Sequence, residues 1–191
     1  MRRISSALST SDATFRSNTM HNRRLADELH AMQEKARHVR PERDVQRLTK
    51  QGKMMPRERV EKLLDPGTPF LELSTLAANR AYDGESPGAS IITGIGLVSG
   101  REVIIHADDS SIKGGAWYPH SVKKIVRCLE IAIENRLPVV HLCDSAGGFL
   151  PLQSEVFPDK HMAGRIFRNQ CKLSKMGVKQ LSLVFGQCTA G

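Results

Sequence analysis

Residues 121–148, SVKKIVRCLEIAIENRLPVVHLCDSAGG, decide the fold. Within Ser121–Arg136, the residues Val122, Ile125, Val126, Leu129, Ala132 and Ile133 fall on one face of a helix. Pro138 cannot continue that helix, and the apolar run Val139–Cys143 reads as a buried strand ending at Asp144. Gly147-Gly148 then turns the chain. Downstream the rhythm repeats: a helix from about Met162 to Met176 closed by Gly177, a strand Gln180–Gly186, and the turn Cys188-Thr189-Ala190-Gly191. Helix, strand and glycine turn in succession predict an α/β fold whose helices cross over between parallel strands. Ligands of such folds gather at the carboxyl ends of the strands, where both glycine turns lie.

Working back towards the N-terminus, Ile91–Val98 and Glu102–Ala107 flank Ser99-Gly100-Arg101, a hairpin signal. Gly94 and Gly96 weaken the first of these strands and mark either a close backbone approach or an edge position. Asn79–Ser90, with Gly84, Pro87 and Gly88, reads as a flexible loop, and Phe70, Leu71 and Leu73 as a short strand. Pro56 suits the first turn of a short helix carrying Val60, Leu63 and Leu64, which stops at Asp65-Pro66-Gly67. In His21–Val39 the stripe Leu25, Leu29, Met32, Ala36 and Val39 predicts an amphipathic helix, followed by Pro41 and a polar stretch to Lys53. One stripe cannot make a core, so residues 1–50 form a helical arm and residues 51–191 the domain it lies against.

Composition narrows the class. No apolar run reaches the roughly 18–20 residues that cross a bilayer, which argues against a membrane protein. The net charge of +8 would attract phosphates, but aromatics are only 5% and no Arg-rich run appears, so nucleic-acid binding lacks its stacking parts. The four cysteines show no CxxC spacing and no zinc pattern, which favours a reducing, intracellular compartment. Met1–Asn18 carries Arg2, Arg3 and a single acid, Asp12; it reads as a frayed terminus or, faintly, as a mitochondrial transit segment.

Side chains offer little chemistry. Ser145 lacks the G-x-S-x-G elbow, and no histidine is placed to activate Cys188. His106, His120 and His141 are scattered, with His141 read as a core residue, and Asp108-Asp109 as a solvated pair at a strand end. None is expected to act as acid, base or metal ligand. The glycine turns could aim two N–H groups at one oxygen, although spacing alone favours plain turns. Lys113-Gly114-Gly115 with Trp117-Tyr118-Pro119 could hold a phosphate and cover an adenine or acyl tail, or could be a surface loop stapled by its aromatics.

Taken in order, the motifs resemble the carboxyltransferase (β) subunits of biotin-dependent acyl-CoA carboxylases. The resemblance rests on Gly52-Lys53-Met54-Met55-Pro56-Arg57-Glu58-Arg59-Val60, on Leu63 to Phe70, on Lys113-Gly114-Gly115 with Tyr118-Pro119, and on Glu134-Asn135-Arg136-Leu137-Pro138. It continues through Asp144-Ser145-Ala146-Gly147-Gly148, Glu155-Val156-Phe157-Pro158-Asp159, Gly164-Arg165-Ile166-Phe167 and Cys188-Thr189-Ala190-Gly191, covering about residues 20–191. The Val-Phe-Pro-Asp and Cys-Thr-Ala-Gly stretches look most like the methylcrotonyl-CoA and geranyl-CoA carboxylase branch.

That resemblance implies a crotonase-like (ClpP/crotonase) fold of ββα repeats, here the N-terminal part of the first carboxyltransferase domain. It implies carboxyl transfer from biotin, carried on a biotin carboxylase/biotin carrier α subunit that uses ATP and bicarbonate, to an acyl-CoA through a thioester enolate. Ala190 and Gly191 would supply main-chain donors, Gly147 and Gly148 the facing turn, and Lys113, Gly114, Gly115 and Tyr118 the CoA site. A homo-oligomer of β subunits follows, in the cytoplasm or alternatively the mitochondrial matrix. There are departures: Leu152 stands where an Arg is usual, Ala163 and Arg168 where aromatics are usual, and Asp108-Asp109-Ser110 replaces a more usual Asn-Asp pair. Ala163 would leave room for a longer, geranyl-like tail. Family subunits are well over twice this length, so the chain reads as a fragment that is inactive alone, or as a non-catalytic chain that only joins full-length subunits.

Overall fold

The computed structural model describes residue 6, residues 8–157 and residues 159–189. Two helices form the arm, α1 (Ala13–His38) and α2 (Glu42–Lys50), and a third, α3 (Pro56–Leu63), leads into the sheet. Five strands follow: β1 (Leu71–Leu73), β2 (Ile91–Val98), β3 (Arg101–Asp108), β4 (Val139–Ser145) and β5 (Gln180–Cys188). They lie in the order β1-β2-β3-β4-β5. The first three are antiparallel neighbours, and β3, β4 and β5 run parallel. Helix α4 (Pro119–Asn135) makes the first crossover; the single turn α5 (Gln153–Val156) and helix α6 (Ala163–Lys175) make the second. No helix among the described residues is long and apolar enough to cross a membrane.

Both faces of the central strands β2, β3 and β4 are covered, which is why they read as near-continuous apolar runs, whereas β5 is largely exposed. On one face, Ile91, Ile104 and Val139 pack with Val122, Ile125, Leu129 and Ala132 of α4 and with Ile166 and Leu173 of α6. On the other, Ile92, Val103, Ile105, Val140 and Leu142 meet Val60, Leu63 and Leu64 of the α3 segment, with Phe70. Each fully buried aliphatic chain contributes about 1.5–3 kcal/mol, so the two layers carry the domain. Gly177 ends α6 at φ +71°, with Val178 N–H returning to Leu173 O at 3.0 Å.

Two segments differ from the sequence expectation. Residues 42–50, expected as an irregular polar stretch, form α2; acids Glu42 and Asp44 in its first turn and Arg47 and Lys50 in its last complement the helix dipole, and Leu48 is buried. Asn79–Ser90, expected to be flexible, is folded into two short 3₁₀ turns with Ser86, Ala89 and Ser90 fully buried. Buried Lys124 of α4 fastens it, its Nζ donating to Gly88 O at 2.9 Å and Ile91 O at 2.6 Å. Gly94 lies inside the sheet between β1 and β3, so its meaning is close approach rather than an edge. A Cβ there would overlap the Phe70 ring and stand 2.7 Å from Leu71 O.

A polar row crosses the apolar sheet where Thr93, His106, His141 and Ser182 fall in register. His106 Nδ1 and His141 Nδ1 are 2.9 Å apart, so one imidazole donates and the other accepts. The Nε2 atoms of both are buried with no hydrogen-bond partner among the described residues. They border a cavity of about 70 Å³ with Asp108, Trp117, Cys143 and Ser182. Burial, reinforced by the Lys124 charge, lowers the His106 pKa to about 4, and burial plus His106 lowers His141 to about 3.

Two stability predictions follow from these contacts. Gly94→Ala should destabilise the chain by about 1–3 kcal/mol in urea unfolding, as an overpacked site does; a loss below about 0.5 kcal/mol would contradict the close approach. Both histidine values lie below the 6.5 of a free imidazole. Their stabilisation is therefore present above about pH 6.5 and drains away as pH falls through the folded values. His141→Gln should flatten the dependence of unfolding free energy on pH between about 4 and 6 by close to one proton, or about 1.4 kcal/mol per pH unit. An unchanged slope would mean that the pair is already protonated in the folded chain.

Candidate active site at the strand ends

The carboxyl ends of β3, β4 and β5 lie side by side at Asp108, Ser145 and Cys188. Two loops meet there: residues 109–118, leading from β3 to α4, and residues 146–149, leaving β4. Ser145 ties them together. Its Oγ donates to Gly115 O at 2.7 Å and accepts from Gly147 N–H at 3.0 Å. Sequence reading rejected Ser145 as a nucleophile; the structure gives its hydroxyl this bridging task.

Most main-chain N–H groups of the turn are committed to the protein. Ala146 N–H donates to Gly114 O at 3.0 Å, and Phe149 N–H to Trp117 O at 2.8 Å. With Gly147 held by Ser145, only Gly148 N–H of residues 146–149 lacks an acceptor among the described residues. Gly147 has φ +89°, and a Cβ on it would sit 2.6 Å from Thr189 O, so the β4 turn is seated against the end of β5. Gly115 is equally constrained, because a Cβ there would collide with Asp144 O. Ala190 and Gly191, the other expected donors, lie outside the described residues.

The carboxylates beneath the loops are not the solvated groups that the sequence reading expected. Asp108 and Asp109 are only 2% and 3% exposed. Asp109 is clamped by Arg40 at 2.7 Å and by Ser111. Asp108 Oδ1 accepts from Trp117 Nε1 at 2.8 Å and its Oδ2 from Asp144 N–H at 3.2 Å. Burial pushes the Asp108 pKa up to about 6 against these two hydrogen bonds. Asp144 shows the opposite balance: burial would raise it, but Lys53 at 3.0 Å, Arg59 at 2.9 Å and Ser110 at 2.9 Å together hold it below the usual carboxylate range. Lys53 and Arg59 belong to the Gly52–Val60 motif, and their pairing with Asp144 of β4 gives that motif a physical role.

The expected CoA-side residues divide. Gly114 and Gly115 line the β4 turn, whereas Lys113 points outward and pairs with Glu85 at 2.9 Å. Tyr118 is 1% exposed and stacks on Phe149 with ring centroids 4.3 Å apart, so its ring belongs to the packed layer. Arg47 of α2 was not anticipated: its Nη2 donates to Ser110 O at 2.7 Å, and its Nη1 lies 3.7 Å from where a Cβ on Gly114 would stand. Its signal was the dipole pattern of residues 42–50. A groove of about 690 Å³ runs outward between the arm and Lys113, with Lys35, Arg40, Arg43 and Arg80 along it. No group of three His, Cys, Asp or Glu able to hold a metal occurs among the described residues.

Comparison with known proteins gives a consistent picture. The chain is 53% identical over 170 residues to the biotin-dependent 3-methylcrotonyl-coenzyme A carboxylase beta1 subunit of Mycobacterium tuberculosis, covering 89% of this chain and 32% of that one. It is 44% identical over 177 residues to the mitochondrial methylcrotonoyl-CoA carboxylase beta chain of Arabidopsis thaliana, covering 93% and 30%. Among solved structures, the beta subunit of P. aeruginosa geranyl-CoA carboxylase superposes with a TM-score of 0.70 at 35% identity, covering 94% of this chain and 33% of that one. The chain thus spans about a third of the length of the relatives it matches. The mixed α/β sheet with its crossover helices is the crotonase-like carboxyltransferase fold in part. Since the carboxyl transferase domain model matches residues 47–191, from α2 through all five strands, this protein belongs to the carboxyl transferase domain family.

Proposed function

We propose that this chain forms the acyl-CoA side of a biotin-dependent carboxyltransferase acting on a 3-methyl-2-enoyl-CoA, of the methylcrotonyl or geranyl type. The observation that carries the reading is the Gly148 N–H, which lacks an acceptor among the described residues at the parallel strand ends. A thioester oxygen placed there gains charge as the substrate becomes an enolate, and a fixed main-chain donor in that position is worth about 2.7–4 kcal/mol. By the family resemblance, Ala190 and Gly191 would add further main-chain donors. Gly147, its own N–H held by Ser145, shapes the turn rather than donating to substrate. Gly114 and Gly115 let the CoA arm pass close to the backbone, and Lys113 reaches a phosphate from the groove once it leaves Glu85.

Biotin, carried on the α subunit and charged there with ATP and bicarbonate, supplies the carboxyl group and the base when bound. The residues here fit that division of labour. His106 and His141 are buried within the sheet, Asp144 is held in ion pairs, Asp109 is held by Arg40, and buried Asp108 is engaged by Trp117 and the Asp144 N–H, so each of these side chains is committed within the protein. The α subunit, further β subunits and acyl-CoA are the partners of this reading, and the cytoplasm or mitochondrial matrix its place.

The test is carboxylation of 3-methylcrotonyl-CoA and geranyl-CoA by the β subunit containing these residues, assembled with its α subunit, ATP and bicarbonate. Turnover should require biotinylated partner, and residues 1–191 alone should show none. Lys113→Ala should raise KM for acyl-CoA about 3- to 10-fold, the worth of one charge-assisted contact, with kcat within about twofold. Equal activity without biotin, or binding to α with no CoA affinity, would overturn the reading in favour of a non-catalytic associating chain.

A further inference from the structure

We infer that Asp108 is the positioning residue of the Gly147–Gly148 turn, acting through Trp117 and the main chain of Asp144. Its carboxylate is buried, and its two oxygens are divided between two different segments. Oδ1 accepts from the Trp117 indole at 2.8 Å, and Oδ2 accepts from Asp144 N–H at 3.2 Å. Asp144 is the penultimate residue of β4, one before the turn departs, and Trp117 flanks the turn. Trp117 N–H donates to Gly147 O at 2.8 Å, and Trp117 O accepts from Phe149 N–H at 2.8 Å. These two bonds form a one-residue parallel bridge between Trp117 and Gly148. Gly148 is therefore held at both neighbours by a residue whose side chain is fixed by Asp108, while the same carboxylate fixes the strand that feeds the turn.

This arrangement also explains why an ionisable group is retained in an otherwise apolar layer. A buried carboxylate is an expensive core residue, and an aliphatic one would pack there more cheaply. Two acceptors on one rigid planar group are what the site requires, because both of its partners are N–H donors. A neutral amide at this position would face one of those donors with an NH₂. Asp108 is buried with both oxygens engaged by the protein, so its effect on catalysis passes through the direction of the Gly148 N–H.

The inference rests on the proposed enolate site, and the experiment separates the two. Asp108→Asn, which replaces one of the two acceptors by an NH₂, and Trp117→Phe, which removes the indole donor, are compared with the wild type as ¹⁵N-labelled chain and in the assembled carboxylase. In the labelled chain the Gly148 amide resonance should shift in both variants, with thermal unfolding recorded alongside. In the assembled enzyme kcat should fall about 10- to 100-fold, as expected of a donor displaced by a fraction of an ångström to 1 Å, with KM for acyl-CoA within about threefold. The double variant should be no worse than the poorer single one. Ile133→Ala on α4, a packing change away from the turn, serves as a control that lowers stability without altering kcat. An unmoved Gly148 amide, in whichever variant folds, overturns the positioning role. A shifted amide with unchanged kcat upholds positioning and overturns the enolate site. Additive losses in the double variant would show that the two residues act separately, and would also overturn it.

Discussion

Hydrogen-bond bookkeeping at the end of β4 governs everything else in this molecule. A strand that stops in a tight turn exposes several main-chain N–H groups, and each must find an acceptor or lose free energy. Here the loop after β3 supplies acceptors at Gly114 and Trp117, and the Ser145 hydroxyl accepts from Gly147. What remains without an acceptor among the described residues is the Gly148 N–H, aimed by neighbours, Gly147 and Phe149, that are both held. An unsatisfied donor fixed in place is a poor stability feature and a good binding feature. The small side chains around it follow from the same constraint, since Gly115 and Gly147 leave no room for a Cβ against Asp144 and Thr189.

Charge is arranged to keep this corner in place. Asp109 and Asp144 are clamped by cations from the arm and from the α3 segment with the link before it: Arg40 on Asp109, and Lys53 of the link and Arg59 of α3 on Asp144. Breaking such a buried pair strands a charge, which is far more costly than the pair is stabilising. The helical arm is thus coupled to the strand ends by electrostatics as well as by its buried Ala36 and Leu48. Its remaining apolar stripe, Leu25, Leu29 and Met32, stays exposed in the isolated chain.

Much of the fold was legible because hydrophobic period is a local property. The β2–β3 hairpin, α4, β4, α6 and β5 could all be placed from the spacing of apolar residues, with Pro138 and Gly177 as punctuation. Helix α2 was missed because it buries mainly Leu48 and Asp44 and has too short a stripe to register. Its N-terminal acids and C-terminal bases did carry the signal. The site was less legible. Glycine turns announce themselves, but whether an amide is committed or available depends on acceptors some thirty residues away, such as Gly114 O and Trp117 O. The Asp108-Asp109 pair was misread for the same reason: what buries it is Trp117 and Arg40, which only tertiary structure brings near. His141 was expected in the core and is there, but its partner His106 is visible only through the β3–β4 register.

The central claim is that the Gly148 N–H, which has no acceptor among the described residues, donates to a thioester oxygen. It is tested most directly by ¹⁵N NMR of the labelled chain titrated with an acyl-CoA and, separately, with a thioether analogue that lacks the carbonyl. The account predicts that the Gly148 amide proton moves downfield with the thioester and not with the thioether, while residues lining the CoA groove respond to both. Groove residues shifting with both ligands and Gly148 with neither would contradict it.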